Sequence, residues 1–181
     1  MINIVTPTTR VENLQTIAKS LAGYRRIRWW VVLDVTAPEI SEKIGVPMNV
    51  EMKIIKSKEN AVAGHLHRNY VIEQLHPHDW FYSVDDDNIL HSGFMYELED
   101  GREAVVVAQE WKDGSRRLHA NIPRMGVIDT AQFAIRKSLI GNVRFQNVYE
   151  GDGLFIEEIY KLHPDKFTFI DKALSYYNYL R

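Results

Sequence analysis

The sequence predicts an α/β protein with a mostly parallel central sheet. In the first half of the chain, apolar runs of strand length alternate with segments of helical periodicity, which is typical of βαβ units. Three of these runs end at Val5, Leu33 and Val84, and right-handed crossovers would place the three following loops at one edge of the sheet. Ligands of open α/β sheets bind at that edge, so function is expected there.

Local patterns define the elements of the first half. Ile2–Val5 reads as a strand that Pro7 closes, and Val11–Ala22 carries apolar residues at helical spacing up to Gly23. Arg28–Val35 is a nearly continuous apolar run, as expected of a buried parallel strand. The elements predicted next are a short helix at Glu39–Ile44, a strand at Glu51–Ile55, a helix at Ala63–Leu75 and a strand at Asp79–Val84.

The second half has a different character. Ala104–Trp111 and Arg116–His119 flank an Asp-Gly turn and predict a β-hairpin, which gives the sheet a small antiparallel portion. Gly126–Ile135 is mixed, Asp152–Leu162 has helical periodicity, and Phe167–Ile170 reads as a last strand. A chain of 181 residues without a low-complexity linker is expected to form one domain, residues 1–181.

Composition excludes several classes of function. The balance of 22 basic and 24 acidic residues gives a net charge of −2, which argues against bulk electrostatic binding to nucleic acid. It contains no cysteine, so disulfides and thiolate metal sites are excluded. No stretch of the sequence approaches the roughly 18 apolar residues that are needed to span a membrane. The N-terminus leads directly into a predicted strand, without room for a signal peptide. A cytoplasmic protein is expected, with peripheral membrane association left open.

The residues Asp85-Asp86-Asp87-Asn88 carry the strongest functional signal. They follow the strand-like run that ends at Val84, and crowded carboxylates are tolerated where a divalent cation neutralises them. Hard oxygen ligands of this kind suit Mn²⁺ or Mg²⁺. The alternative is a helix N-cap, for which one Asp or Asn would suffice. The glycine-rich phosphate loops of the commoner nucleotide folds are missing from the sequence.

Five segments of the chain, in this order, form a pattern: Val5-Thr6-Pro7-Thr8 with Arg10, Trp30–Asp34, His67-Arg68-Asn69, Tyr82–Asn88 and Glu150-Gly151-Asp152. Together they resemble the GT-A-fold inverting glycosyltransferases, closest to family 43 (the β-1,3-glucuronyltransferases) and also similar to family 2. The resemblance covers about residues 2–159 and implies a nucleotide-sugar-binding half at about 1–100 and an acceptor and catalytic-base half at about 101–181.

The resemblance assigns roles on the donor side. Asp87 would be the direct metal ligand, Asp86 would contact the ribose or share the metal, and Asp85 would support both. Thr6 and Asp34 would hold the uracil and the ribose of a UDP-sugar. The alternatives are turn chemistry for Thr6 and an N-cap or solvated loop acid for Asp34.

Two arginines complete the expected donor site. Arg10 belongs to the first segment and would contact the nucleotide sugar. Arg68 would neutralise phosphate or position the base, because a guanidinium offers a forked donor to oxyanions. The alternative for Arg68 is a salt bridge on a helix surface.

On the acceptor side, the resemblance places a catalytic base at the start of the late helix. Asp152 fits the family 2 spacing, and Glu150 is the second candidate; both acids could instead be charges favoured at a helix N-terminus. Asp129 is a candidate contact of the donor sugar. Trp111 is either a platform for a pyranose ring or a buried hairpin residue.

The function implied is a metal-dependent inverting glycosyltransferase that moves a sugar from a UDP-sugar to a hydroxyl of a carbohydrate acceptor. A sugar-phosphate nucleotidyltransferase is an alternative, although the loop after the first strand lacks the expected glycines. A non-catalytic nucleotide- or carbohydrate-binding module is the third possibility.

Overall fold

The computed structural model describes residues 1–23, 26–98 and 101–181, which form one eight-stranded mixed sheet with helices on it. The strands are β1 (Ile2–Thr8), β2 (Ile27–Leu33), β3 (Val50–Lys56), β4 (Trp80–Ser83), β5 (Ala104–Trp111), β6 (Arg116–Leu118), β7 (Phe133–Arg136) and β8 (Phe167–Tyr177). The helices are α1 (Leu14–Ser20), α2 (His65–Glu73), α3 (Lys137–Ile140) and α4 (Gly151–Leu162).

The sheet has a parallel half and a mixed half. Strands run in the order β3-β2-β1-β4-β7-β5-β6, and β8 pairs with β5 beside this path. The first four strands are parallel to one another, β7 is antiparallel to β4 and β5, β6 is antiparallel to β5, and β8 is parallel to β5. The parallel register brings the carboxyl ends of β1, β2 and β4 to one edge, as the alternation of elements predicted.

Both faces of the sheet are covered, which explains the continuous apolar runs of its central strands. Ile4 and Trp29 point to a core shared with α1, whereas Val5 and Trp30 point to a second core shared with α2 and α4. Alternate strand residues face opposite sides. Because both sides are buried, the usual polar alternation disappears from these strands.

The predicted helix at residues 39–44 does not form. This segment is irregular, although Ile40 and Ile44 pack against the core as partly buried residues. Their spacing of four imitates a helix, but Gln15 fixes the segment in another way. Its side-chain amide accepts from the Gly45 N–H at 2.9 Å and donates to the Gly45 carbonyl at 3.1 Å. Within the described residues, no helix is long and apolar enough to cross a membrane.

The last strand is much longer than the predicted Phe167–Ile170. β8 continues to Tyr177 because it follows β5 along that strand's whole length, with register shifts around Val107 and Ala108. This extension delivers the C-terminal residues to the functional edge of the sheet. It is the main difference between the predicted and the observed elements.

Candidate active site

Two adjoining cavities open at the carboxyl edge of the parallel strands. The first cavity, of about 290 Å³, is lined by residues that follow β1, β2 and β4, among them Arg10 and Asp34. The second cavity, of about 400 Å³, lies towards the mixed half of the sheet and includes Asp152. They meet at shared lining residues, which are Ala63, Asp85, Asp87 and Arg181. The acidic segment therefore stands at the boundary between the two cavities.

Asp86 anchors the loop that follows β1. Its Oδ2 accepts hydrogen bonds from the backbone N–H groups of Thr9 at 2.8 Å and Arg10 at 2.9 Å, and from the Thr8 hydroxyl at 3.0 Å. Its Oδ1 accepts from the Arg10 guanidinium. With both oxygens occupied and 7% exposure, Asp86 shapes the wall of the first cavity.

Asp87 carries the cationic contacts at the boundary. Its Oδ2 lies 3.2 Å from Nη1 of Arg10 and 2.8 Å from Nη2 of Arg181. The N-cap alternative does not occur, because residues 86–87 form a turn and the next helical turn of the described chain is Phe94–Glu97. Two exposed or partly exposed guanidinium groups thus neutralise one buried carboxylate.

Arg68 is a buried residue of α2 and not a surface helix residue. Its side chain is 1% exposed, and its Nε donates to the Ser83 hydroxyl at 2.8 Å. Its Nη1 donates to the Ala63 carbonyl, and its Nη2 donates to Asp85. Burial raises the pKa of Asp85 to about 6 against the opposing charge of Arg68, and the neighbouring carboxylates add to the rise. Arg68 therefore fixes both Asp85 and the loop before α2.

Asp34 faces the first cavity from the end of β2. Its Oδ1 accepts from the backbone N–H of Thr36 at 2.9 Å and from the hydroxyl of Thr36 at 2.7 Å, while its Oδ2 lies 3.6 Å from Nε2 of His67. Burial raises the pKa of Asp34, but these hydrogen bonds and His67 outweigh burial and hold the pKa below its ordinary value. Asp34 therefore stabilises the turn after β2 and remains ionised at the wall of the first cavity.

Thr6 does not reach either cavity, and the expectation that it contacts the base is corrected here. It lies inside β1 with 0% exposure, and its hydroxyl accepts a hydrogen bond of 2.9 Å from the indole N–H of Trp29. The strand continues to Thr8. As a result, the cavity is lined by Pro7, Thr8 and Thr9.

Of the two acids at the start of α4, Asp152 is partly buried and Glu150 is exposed. Asp152 lies in the first turn of α4, where its Oδ1 accepts from the Gly153 N–H at 2.7 Å. Burial raises the pKa of Asp152 to about 6, and the charge of Asp129 raises it further. Glu150 precedes the helix, is exposed and makes no capping hydrogen bond. Both line the second cavity.

The start of α4 is placed by a close contact that the sequence did not reveal. A Cβ on Gly151 would lie 2.3 Å from the Gln146 carbonyl oxygen and 2.7 Å from the ring of His65. That ring is buried and stacks on Phe145 at 5.4 Å between centroids. Burial, followed by the charge of Arg68, lowers the pKa of His65 to about 4, so the ring is neutral. Only glycine allows α4 to approach α2 this closely.

Asp129 holds neighbouring side chains in place. Its Oδ1 accepts from the Ala131 N–H at 3.0 Å and from Nε2 of Gln109 at 3.1 Å, and its Oδ2 lies 3.5 Å from Nη1 of Arg117. Arg117 also donates to Oε1 of Gln109. Asp129 lines the second cavity, but both of its oxygens are occupied by these partners. Its contribution to the site is therefore to hold Arg117 at the cavity wall.

Sequence reasoning missed the two cavity arginines of the second half. Arg117 stands beside Arg116 on the predicted hairpin, where paired arginines are more often solvated than functional. Arg181 gave no signal at all. Arg181 reaches the site because the Leu180 N–H donates to the Asp87 carbonyl at 2.8 Å and the Tyr179 N–H donates to Oδ1 of Asn88 at 3.2 Å. These are contacts between distant segments, which no local pattern reports.

Comparisons with known proteins agree with this architecture at the level of the fold. No protein-family model matches the sequence, and no curated protein matches it. Among solved structures, the chain is similar to S. aureus TarS 1–349, a family 2 glycosyltransferase, with a TM-score of 0.73 and 16% sequence identity. The alignment covers 97% of this chain and 59% of that chain. The predicted fold class is confirmed: the chain has a mixed α/β, GT-A-like fold.

Proposed function

We propose that the protein is a metal-dependent inverting glycosyltransferase that transfers a sugar from a UDP-sugar to a hydroxyl of a carbohydrate acceptor. One observation carries the proposal. Two cavities meet at Asp85 and Asp87, and the second contains Asp152, a carboxyl group with a raised pKa. A transferase needs this arrangement, with the leaving group on one side of the transferred sugar and a base on the other.

The first cavity is the proposed nucleotide site. Asp34 presents an ionised carboxylate at the end of β2, where it can accept hydrogen bonds from ribose hydroxyls. Gly64 forms part of the wall with φ +75°. A Cβ there would lie 2.4 Å from Pro7, so glycine keeps the two cavity loops in contact. Arg10 lines this cavity beside Asp87 and would offer a cation to a diphosphate placed at the boundary.

The residues at the boundary fit a divalent cation that the substrate helps to hold. Among the described residues, no group of three His, Cys, Asp or Glu side chains is arranged to hold a metal by itself. Mg²⁺-type sites commonly use one or two carboxylates and take their other ligands from water and substrate phosphates. Asp87 would supply the carboxylate, and Asp85 is its neighbour. When bound, the cation would neutralise the charge that develops on the leaving nucleoside diphosphate.

Asp152 is the proposed base of a single displacement. The acceptor oxygen forms a bond to the anomeric carbon as the bond from that carbon to the diphosphate oxygen breaks, and Asp152 takes the acceptor's proton. A pKa of about 6 leaves Asp152 ionised at neutral pH and more basic than an ordinary carboxylate. Glu150 is exposed and carries no comparable advantage. Asp152 is also the acid that matches the family 2 spacing. Its choice as the base therefore favours the family 2 pattern over that of family 43.

A non-catalytic nucleotide-binding module is the second candidate, and one observation favours it. Each carboxylate of the acidic segment already has an arginine partner. Asp85 pairs with Arg68, and Asp86 pairs with Arg10. Asp87 pairs with both Arg10 and Arg181. A site balanced in this way can bind a nucleotide without a metal. The two functions differ in their requirement for the cation.

Calorimetric titration with UDP, with and without Mn²⁺, tests the proposal. For the wild type, we expect Mn²⁺ to tighten UDP binding at least tenfold, and we expect Asp87→Ala to abolish this gain. A parallel thermal-shift screen of UDP, GDP, ADP and CMP ranks the nucleotides, because selective binding stabilises the folded state. UDP binding that is indifferent both to Mn²⁺ and to the Asp87→Ala change would favour the non-catalytic module.

A further inference from the structure

A partly exposed aromatic surface lies at the tip of the β5–β6 hairpin. Trp111 is 41% exposed, so the expectation of a buried hairpin tryptophan does not apply. Its ring meets the ring of Tyr177 edge to face, with centroids 4.9 Å apart. The two residues are partners in the parallel pairing of β5 and β8. Trp111 and Tyr177 thus form a paired aromatic surface that is open to solvent, and contiguous exposed apolar surface of this kind is common at binding sites.

The aromatic surface is held rigidly by its neighbours. The guanidinium carbon of Arg117 lies 3.6 Å from the centroid of Tyr177, and Arg117 is itself fixed by Gln109 and Asp129. On the hairpin side, the Asp113 carboxylate accepts from the Ser115 N–H at 2.9 Å and closes the turn. A surface ordered in advance loses little conformational entropy when a ligand binds.

This surface forms one wall of a groove that continues into the second cavity. We name it the aromatic groove; its volume is about 500 Å³, and it is lined by Trp111, Lys112, Asp113, Ser115, Tyr177, Asn178 and Arg181. Three of these residues, Tyr177, Asn178 and Arg181, also line the second cavity. The backbone turns between the two at Asn178, whose φ is +51°. Asparagine tolerates this left-handed conformation better than most residues.

We propose that the aromatic groove binds a second sugar ring of the acceptor, so that the acceptor is a glycan of at least two units. The inference rests on the proposed function, which places the reacting acceptor hydroxyl beside Asp152 in the second cavity. That cavity must also admit the transferred sugar, and the aromatic groove adjoins it at Tyr177 and Asn178, where the remainder of a longer acceptor can leave it.

The chemistry of the groove matches a sugar ring. A pyranose has an apolar face of C–H groups that packs on an aromatic ring and a rim of hydroxyls that needs hydrogen-bond partners. The groove offers Trp111 and Tyr177 for the face, and the polar ends of Lys112, Asn178 and Arg181 for the rim. A few polar groups around an apolar surface are typical of small-ligand sites.

Binding to immobilised oligosaccharides tests the inference. The probes are gluco-, manno-, galacto-, xylo- and N-acetylglucosamine oligomers of one to six units, presented to labelled protein with UDP and Mn²⁺. For at least one series, we expect retention to rise between one and two or three units. Trp111→Ala should lower that retention about tenfold, the effect of one lost stacking contact, whereas Trp111→Tyr should restore most of it.

Controls separate this result from misfolding and from failure of the proposed function. Tyr96→Ala removes another exposed aromatic ring, which is not among the groove's residues, and should leave retention unchanged. UDP affinity and the thermal midpoint should be equal in the wild type and the Trp111→Ala variant. If UDP fails to bind but retention still depends on Trp111, the groove stands and the transferase proposal falls.

Three results would overturn the inference. The first is that the wild type retains none of the oligosaccharides. The second is that retention is independent of chain length or equal in the Trp111→Ala variant. The third is that the wild type is a dimer that this substitution dissociates, which would make the groove an interface between two copies of the chain.

Discussion

Removing Arg181 should increase the affinity of the free protein for Mn²⁺. The guanidinium of Arg181 lies 2.8 Å from Oδ2 of Asp87, the proposed metal-binding oxygen. A cation that uses this oxygen must displace Arg181 or work against its positive charge. Arg181→Ala eliminates the competitor and leaves Asp87 with Arg10 alone, whose Nη1 lies 3.2 Å away.

The size of the effect follows from exposure. The side chain of Arg181 is 55% exposed and that of Asp87 is 8% exposed, so water screens the pair from one side only. Measured exposed ion pairs contribute about 0.2–1 kcal/mol. Taking about 1 kcal/mol for this half-buried pair predicts a gain of about fivefold in Mn²⁺ affinity. The gain should shrink as salt concentration rises, because the exposed guanidinium is screened.

Electron paramagnetic resonance of free Mn²⁺ measures this affinity without a substrate or turnover. Arg181→Lys keeps the positive charge and should bind Mn²⁺ as the wild type does, and Asp87→Ala should lose the site. Lys172→Ala removes an equally positive, 70% exposed side chain that pairs with Glu97 away from the cavities, so it controls for net charge. Equal Mn²⁺ affinity in the wild type and Arg181→Ala, with Asp87→Ala still defective, would refute the competition.

Three further predictions follow from the site. Urea denaturation should show that Asp86→Ala lowers the free energy of unfolding by about 2 kcal/mol or more, because the buried Thr8 hydroxyl and two backbone N–H groups lose their acceptor. Asp87→Ala should cost less than about 1 kcal/mol, because its arginine partners are partly exposed. Asp152→Asn should abolish turnover yet stabilise the fold by about 1–3 kcal/mol at pH 7.5, because burial raises the pKa of Asp152 to about 6 and makes its charged form costly. This stabilisation should vanish below about pH 4, where the carboxyl group is protonated in both the folded and the unfolded state. The wild-type kcat/KM should fall as the pH drops through about 6, because the base becomes protonated. Gly151→Ala should lower the thermal midpoint and activity because its Cβ meets a carbonyl at 2.3 Å, whereas Gly45→Ala, whose nearest contact is 3.6 Å, should be neutral.

The sequence predicted the parallel half of the fold because its signals there are local. Buried strands covered on both faces appear as apolar runs, and β2 and β4 match their predicted ranges within two residues at each end. The segment at 39–44 failed because the spacing of Ile40 and Ile44 is compatible with a helix and with an irregular chain pinned by Gln15.

The same distinction applies to the site. The acidic segment and the Asp152 segment were visible because several functional residues stand together in the sequence. Thr6 was misplaced because its hydrogen bond to Trp29 joins two strands and buries the hydroxyl. Arg117 and Arg181 reach the cavities only through pairings of the hairpin and of β8, which depend on sheet register. Register is a tertiary property, so local patterns leave it undetermined.

The pairing of β8 with β5 has a consequence for how the molecule acquires its site. β8 enters the sheet beside a strand that precedes it by the length of β6, β7, α3 and α4 together. Contacts over such sequence separations form slowly, because the intervening chain must be ordered before they can form. Arg181 and Tyr177 reach the cavities only after this step. The loops of the first cavity depend on an equally distant pairing, that of β4 with β1, which brings Asp86 to Arg10. The boundary between the two cavities is therefore complete only after both β4 and β8 have entered the sheet.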